Sequence, residues 1–168
     1  MKILMALAVI FAAAIVGVVS YERHGWDAPP YTRLPYPVLD GLIALSVLAI
    51  LGVTLSPSSG RGGTRIHLLP LSDFWEENPY REGVGPGWIA AVANFLLFIP
   101  IGFLVGIRWS FLDRWSKVLA LGIGLSLAIE MVQLGLGGHD TSIDDVLLNA
   151  FGAVSGHAFM RAARRVGD

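Results

Sequence analysis

The feature that most constrains this chain is a series of five apolar stretches separated by polar or proline-rich connections. A helix needs about 20 mostly apolar residues to cross the hydrocarbon core of a bilayer, because each residue adds about 1.5 Å to its length. The sequence therefore predicts an all-α, polytopic integral membrane protein, with about five transmembrane helices packed as a small bundle. The single predicted domain covers residues 1–168, and its spans are residues 3–20, 38–55, 87–107, 118–136 and 142–163. The first stretch has a second interpretation, because Lys2 followed by an apolar run also resembles a signal peptide.

Composition supports a membrane protein and excludes several other classes. Hydrophobic residues make up 54% of the chain and charged residues only 15%, whereas soluble domains usually carry about 25% charge. This composition predicts the lipid bilayer as the partner of the chain. The net charge of -1 gives no basic face for nucleic acid. The absence of cysteine excludes disulfides, thiolate metal sites and cysteine nucleophiles.

The distribution of lysine and arginine predicts the orientation, because these residues are enriched in cytoplasmic connections. With five spans, more of them fall on the side that contains the C-terminus. That side has Arg23, Arg33, Arg108, Arg114, Lys117, Arg161, Arg164 and Arg165, and the other has Lys2, Arg61, Arg65 and Arg81. We therefore expect a cytoplasmic C-terminus and an N-terminus outside. The basic C-terminal residues are interpreted as a positive-inside anchor.

Polar residues within the apolar stretches gather at one side of the predicted membrane. Such residues are costly to bury in lipid and commonly indicate function. They lie early in the third span, late in the fourth and early in the fifth, and these three portions face the same side when successive helices alternate in direction. We predict a ligand pocket there, formed by Asn94, Glu130, Gln133, His139, Asp140, Asp144, Asp145 and Asn149.

Helical periodicity places small residues on the same faces as these polar ones. One stripe of the fourth span contains Gly122, Ser126, Glu130 and Gln133, and one stripe of the fifth contains Asp145, Asn149, Gly152 and Gly156. Small residues allow helices to approach closely, and polar residues bond across the contact. We expect Gly102 and Gly106 to serve the third span in the same way.

The polar residues also have structural explanations. Glu130 could contact a ligand or an ion, act as a general acid or base, or form a hydrogen bond to Asn149 or Asn94 between helices. Asp144 and Asp145 suit the first turn of a helix, where the dipole favours carboxylates and Ser142 has the spacing of a capping residue.

Two further site hypotheses concern histidines. His139 and His67 could join the acids around a divalent cation, although no recognised ligand spacing is present; no other cofactor is indicated. Ser126 and His157 could form a hydrolase pair, but His157 points about 80° or more away from the Asn149 stripe. The Gly-x-Ser-x-Gly sequence of a nucleophile elbow is also absent around Ser126.

Three segments resemble the core motifs of the VanZ-like family, in the expected order. They are residues 94–103 (NFLLFIPIGF), 126–133 (SLAIEMVQ) and 140–152 (DTSIDDVLLNAFG), and residues 54–57 (TLSP) resemble an earlier family stretch. The resemblance implies a multi-pass protein of the bacterial cell membrane. The namesake of the family is associated with resistance to the glycopeptide teicoplanin. Where relatives commonly have arginine before the third motif, this chain has His139, which titrates near neutral pH.

Three functions are compatible with the sequence. The first is a cell-envelope protein whose outer pocket binds a lipid-linked or cell-wall ligand and affects teicoplanin susceptibility. The second is an intramembrane enzyme that acts on lipid headgroups through a carboxylate. The third is a small transporter or assembly partner, and a transporter would have to be oligomeric because five spans without an inverted repeat leave little room for alternating access.

Overall fold

The computed structural model describes residues 34–54, 66–67, 86–136 and 141–167, together with Ala13, Val16, Ser20, Asp27 and Pro29. Most of the predicted span 3–20 lies outside the described residues, as do His139 and Asp140. The described helices are α1 (Tyr36–Thr54), α2 (Pro86–Arg108), α3 (Trp115–Leu136) and α4 (Ile143–Gly167), with a short 3-10 turn (Ser110–Leu112) between α2 and α3.

Within the described part of the chain, three helices are long and apolar enough to cross a membrane. They are α1, the segment Ala91–Arg108 of α2, and the segment Trp115–Gly135 of α3. These helices agree with the prediction of an all-α membrane bundle. The number of five spans remains a prediction, because α4 is less apolar and the first stretch is mostly undescribed.

Large apolar side chains are exposed on the outer surface of the bundle, whereas polar side chains in the middle of α4 point inward. Phe151 and Phe159 on α4 are each about three-fifths exposed, whereas Asn149 and His157 on the same helix are buried. Met131 on α3 is similarly exposed. Soluble proteins rarely show such large apolar patches, so this arrangement supports a bilayer as the surrounding solvent.

Two prolines at helix starts and two hydroxyl residues of α1 are placed where a helix in lipid tolerates them. Pro37 lies in the first turn of α1 and Pro86 begins α2, positions at which a backbone N–H has no helical partner. The hydroxyls of Ser46 and Thr54 each donate to the carbonyl four residues earlier in α1, at 2.8 Å. Their hydrogen bonds are therefore satisfied within the helix itself, as the absence of water in a bilayer requires.

Helix α4 lies against both α2 and α3, and its contact with α2 is the most extensive between any two described helices. Glycines make this contact possible. A methyl group at Gly152 would overlap the carbonyl oxygen of Phe95, one at Gly156 that of Ile99, and one at Gly102 that of Ala153. The backbones of α2 and α4 therefore touch directly, which confirms the expected role of these small residues.

The remaining packing is provided by two apolar clusters. The larger one joins all four helices and contains Ile50, Phe98, Ile101, Val105, Val118, Ile129 and Ala153. The smaller one joins α1, α2 and α4 and contains Leu39, Leu104, Ile107 and Met160. Gly122 brings α3 close to α4, because its missing Cβ would lie 3.0 Å from the Cα of Ala150.

Two short strands connect the long segment after α1 to the beginning of α4. Strand β1 (Ile66–His67) pairs in parallel with β2 (Thr141–Ser142), with Ile66 opposite Thr141 and His67 opposite Ser142. This backbone pairing fixes the connection between α1 and α2 at the same side of the bundle as the first turn of α4.

The close contact between α2 and α4 predicts different outcomes for two glycine substitutions. Gly156→Ala should lower the apparent Tm in detergent by several degrees, because overpacking costs about 1–3 kcal/mol. Gly124→Ala is the matched control, since a Cβ there meets nothing within 4 Å, and it should leave the Tm unchanged or slightly raised. Equal melting temperatures for the two variants would contradict the direct backbone contact.

Candidate functional site

One pair of polar side chains joins α2 to the first turn of α4. Asn94 Nδ2 donates to Asp145 Oδ1 at 2.5 Å. The two residues come from the third and fifth predicted spans, and both were predicted to lie in the same pocket. The structure therefore brings together two polar groups that are far apart in the sequence.

A second, more deeply buried group joins α3 to α4. Asn149 Nδ2 donates to Ser126 Oγ at 2.8 Å, and Glu130 lies one helical turn from Ser126 on the same face of α3. The exposed fractions are 1% for Ser126, 3% for Asn149 and 6% for Glu130. The amide oxygen of Asn149 is buried and has no hydrogen-bond partner among the described residues. A buried acceptor in this state costs about 1–3 kcal/mol, so a donor from a bound molecule would be favourable here.

Gln133 connects this region to α1. Its Nε2 donates to the backbone oxygen of Thr54, the last residue of α1, at 2.6 Å. A helix C-terminus leaves carbonyl groups without helical partners, and Gln133 satisfies one of them. Gln133 was predicted to line the pocket, but this contact with α1 was not expected from the sequence.

Asp144 and Asp145, the two acidic residues at the start of α4, make different contacts. Ser142 Oγ accepts the backbone N–H of Asp144 at 3.2 Å, which is the geometry of a helix cap. Asp144 itself is buried, with an exposed fraction of 4%. The predicted cap is therefore present at Ser142, with the bond going to Asp144, while Asp145 reaches across to α2.

We refer to Asn94, Ser126, Glu130, Gln133, Asp145 and Asn149 as the polar cluster. Five of them lie on the side of the bundle where α1 and α3 end and where α2 and α4 begin, and Ser126 lies deeper, at the middle of α3. The described residues include no group of three His, Cys, Asp or Glu side chains that could hold a metal ion. Three predicted pocket residues are not in the polar cluster. Asp144 is buried beside the cap, and His139 and Asp140 lie outside the described part of the chain.

The opposite side of the bundle is held by ion pairs. Arg108, at the end of α2, donates to both carboxylate oxygens of Asp40 on α1, at 2.5 Å and 3.1 Å. The guanidinium also lies over the ring of Tyr36, 4.6 Å from its centre. Ser20 Oγ donates to Asp40 Oδ2 at 2.5 Å, which ties the end of the first apolar stretch to the same carboxylate.

A second set of charges, the ion-pair cluster, consists of Asp113, His157 and Arg164. Asp113 Oδ1 lies 2.9 Å from His157 Nε2, and its Oδ2 accepts from Arg164 Nη1 at 2.6 Å. Arg164 Nη2 also donates to the backbone oxygen of Gly106 at 2.9 Å. The serine-hydrolase hypothesis finds no support in this geometry, because His157 contacts Asp113 while Ser126 contacts Asn149.

The ion-pair cluster was not predicted from the sequence. Arg164 was interpreted as part of a basic anchor, and Asp113 was given no role. The available signal was an acid in the short connection between two spans, opposite a histidine and an arginine seven residues apart on the last helix. Those residues share a helix face, since seven residues complete about two turns.

The environment of Asp113 lowers the pKa of its carboxyl group. Burial raises this pKa, but the hydrogen bond from His157 and the charge and hydrogen bond of Arg164 together outweigh it, so the pKa lies below the ordinary value for an aspartate. A carboxyl whose pKa is lower in the folded state stabilises the protein above its unfolded-state pKa. That stabilisation is lost as the pH falls through the folded-state value.

Asp113→Asn should therefore lower the melting temperature at pH 7, and the difference from the unchanged protein should shrink below about pH 4. Asp27→Asn is the matched control, because Asp27 is exposed. Melting curves in detergent between about pH 3 and pH 8 measure both effects across this range. A difference that persists undiminished at the acidic end would show that the carboxylate charge is not responsible.

Comparison with known proteins gives one assignment. The sequence model of the VanZ/LLP1 family matches residues 43–164, a range that includes α2, α3, nearly all of α4 and the whole polar cluster. No curated protein and no solved structure shows significant similarity to the chain. The match covers well over half of the 168 residues. The chain therefore belongs to the VanZ/LLP1 family.

Proposed function

We propose that this chain is a multi-pass protein of the bacterial cell membrane that binds a lipid-linked or cell-wall ligand through the polar cluster. Binding on the outer face would then affect susceptibility to glycopeptides such as teicoplanin. Membership of the VanZ/LLP1 family supports the class of protein, and the geometry of the polar cluster supports the position of the binding site.

The observation that carries this proposal is the burial of Glu130, within the candidate span of α3, and of Asn149 on the adjoining helix α4. Ionisable residues in such positions are rare and usually mark a pathway or a binding site. The amide oxygen of Asn149, which has no hydrogen-bond partner among the described residues, would accept from a hydroxyl or an N–H group. Sugars and peptides both present such donors, and both occur in cell-wall precursors.

The orientation belongs to the proposal as well. Arg108, Arg114, Lys117, Arg164 and Arg165 all lie at the side of the bundle opposite the polar cluster. Basic residues favour the cytoplasmic side. The polar cluster would therefore face the cell exterior, where the precursors of the cell wall are assembled.

Cysteine labelling tests this orientation directly, because the native chain has no cysteine. Ser110→Cys and Gly135→Cys introduce one thiol each. Both positions are exposed; Ser110 precedes α3, and Gly135 lies near its end. We expect a membrane-impermeant maleimide to label the Gly135→Cys variant in intact cells, and the Ser110→Cys variant only after the membrane is opened. Labelling of both variants from the same side would contradict the orientation and the alternation of the spans.

The binding site is tested by expressing variants in a glycopeptide-sensitive bacterium and measuring the inhibitory concentration of teicoplanin. We expect the unchanged protein to raise this concentration several-fold, and Glu130→Ala or Asp145→Ala to return it to the level of cells without the protein. Glu130→Gln distinguishes charge from hydrogen bonding, because the amide keeps a similar shape but loses the negative charge. Leu127→Ala is the matched control, since Leu127 lies on the exposed face of the same helix.

Membrane abundance of each variant must equal that of the unchanged protein for the comparison to count. Full protection by both Glu130→Ala and Asp145→Ala at equal abundance would refute the proposed site. Protection by none of the proteins, the unchanged one included, would refute the link to glycopeptides.

A further inference from the structure

An apolar groove lies between α1 and α2 on the outer surface of the bundle. Its volume is about 540 Å³, and its walls are formed by α1 between Leu42 and Val53 and by α2 between Ala93 and Leu104. This groove is separate from the polar cluster, which lies among α2, α3 and α4.

The chemistry of the groove suits a hydrocarbon. Ser46 has the only hydroxyl among its lining residues, and that hydroxyl already donates to the carbonyl of Leu42 within the same helix. Pro100 contributes no backbone N–H. The carbonyl of Leu96, four residues before Pro100, lacks its usual helical donor and is the acceptor that this wall offers. A polar occupant with several groups would therefore lose most of its hydrogen bonds to water without replacement, at a cost of several kcal/mol per group.

The length and position of the groove match one leaflet of a bilayer. From Leu42 to Val53 a helix rises about 16 Å, and half of the hydrocarbon core is about 15 Å. The groove ends at Val53 and Ala93, which immediately precede Thr54 and Asn94. The backbone oxygen of Thr54 accepts from Gln133, and Asn94 donates to Asp145. This end of the apolar groove therefore lies at the depth of the polar cluster.

We infer that the groove between α1 and α2 holds a hydrocarbon chain of a membrane lipid whose headgroup lies at the level of the polar cluster. This inference rests on the proposed function and narrows its ligand to the lipid-linked class. An amphipathic molecule fits both surfaces, because its headgroup would lie at the level of the polar cluster, near the membrane boundary, and its hydrocarbon chain would lie in the groove, deeper in the bilayer.

A second copy of the chain is a poorer occupant. A two-fold dimer would place the same groove on both partners, so two concave surfaces would face each other and leave a void between them. Apolar side chains also gain little by leaving lipid for another apolar surface. A mobile hydrocarbon chain fills a concave apolar surface without either difficulty.

Photo-crosslinking tests the inference with the full chain in vesicles of phosphatidylethanolamine and phosphatidylglycerol. A trace of phospholipid with a diazirine in its acyl chain labels neighbouring residues, which mass spectrometry locates. We expect labels to concentrate at residues 42–53 and 93–104, several-fold above those at the exposed apolar face of α3 around Leu127 and Met131. Equal labelling of the two surfaces would overturn the inference.

Filling the groove gives the decisive comparison. Ala49→Phe, and independently Ala93→Phe, should lower labelling of the groove several-fold, because the new ring occupies the space of the hydrocarbon chain. Ala128→Phe is the matched control at an exposed position of α3 and should leave groove labelling unchanged. Labelling that survives both groove variants would overturn the inference.

Other occupants are distinguished by disulfides. A dimer formed through Ala49→Cys would indicate a second copy of the chain. A disulfide within one chain between Ala49→Cys and Val16→Cys would indicate the first apolar stretch. Either result at high yield would overturn the inference of a lipid chain.

The two proposals fail separately. Normal groove labelling together with a teicoplanin effect that does not depend on Glu130 would refute the proposed function alone. A teicoplanin effect that requires Glu130, together with an unlabelled groove, would refute the lipid chain alone and favour a ligand without a hydrocarbon tail.

Discussion

The direct contact between the backbones of α2 and α4 is the constraint on which the other features depend. Glycines at positions 102, 152 and 156 let the two helices touch along much of their length. Toward the start of α4, Asn94 donates to Asp145, and toward its end, Arg164 donates to the backbone oxygen of Gly106. A wider separation would leave these polar groups too far apart to bond, and in lipid they would have no water to replace the lost partners.

The two sides of the bundle carry different chemistry. On the basic side, the carboxylates of Asp40 and Asp113 are matched with arginine and histidine in fixed pairs, an arrangement that holds helix ends together. On the other side, amide groups donate to a carboxylate, a hydroxyl and a backbone carbonyl. The ion pairs therefore have a structural role. The second arrangement leaves a buried acceptor, the amide oxygen of Asn149, that a further donor could reach.

Much of the helical structure and part of the site could be predicted from the sequence. Apolar length predicted the helices, and the 3.6-residue period placed Ser126 and Glu130 on one face and Asn149 and Gly152 on another. The contact of Gln133 with α1 could not be predicted, because it depends on the rotation of one helix relative to another; the partners of Asp113 had only a weak signal in the spacing of His157 and Arg164. Hydrophobic periodicity carries little information on that rotation in a membrane, where the lipid-facing surface is apolar as well.

The pairing of Ile66–His67 with Thr141–Ser142 has a mechanical consequence. It divides the connection between α1 and α2 into two shorter segments, each anchored beside the residue that caps α4. A molecule that displaces residues 66–67 must break the backbone hydrogen bonds of this pair, which lies directly beside the cap at Ser142 and the first turn of α4. The position of residues 66–67 is thereby tied to the turn that carries Asp145, whose side chain reaches α2.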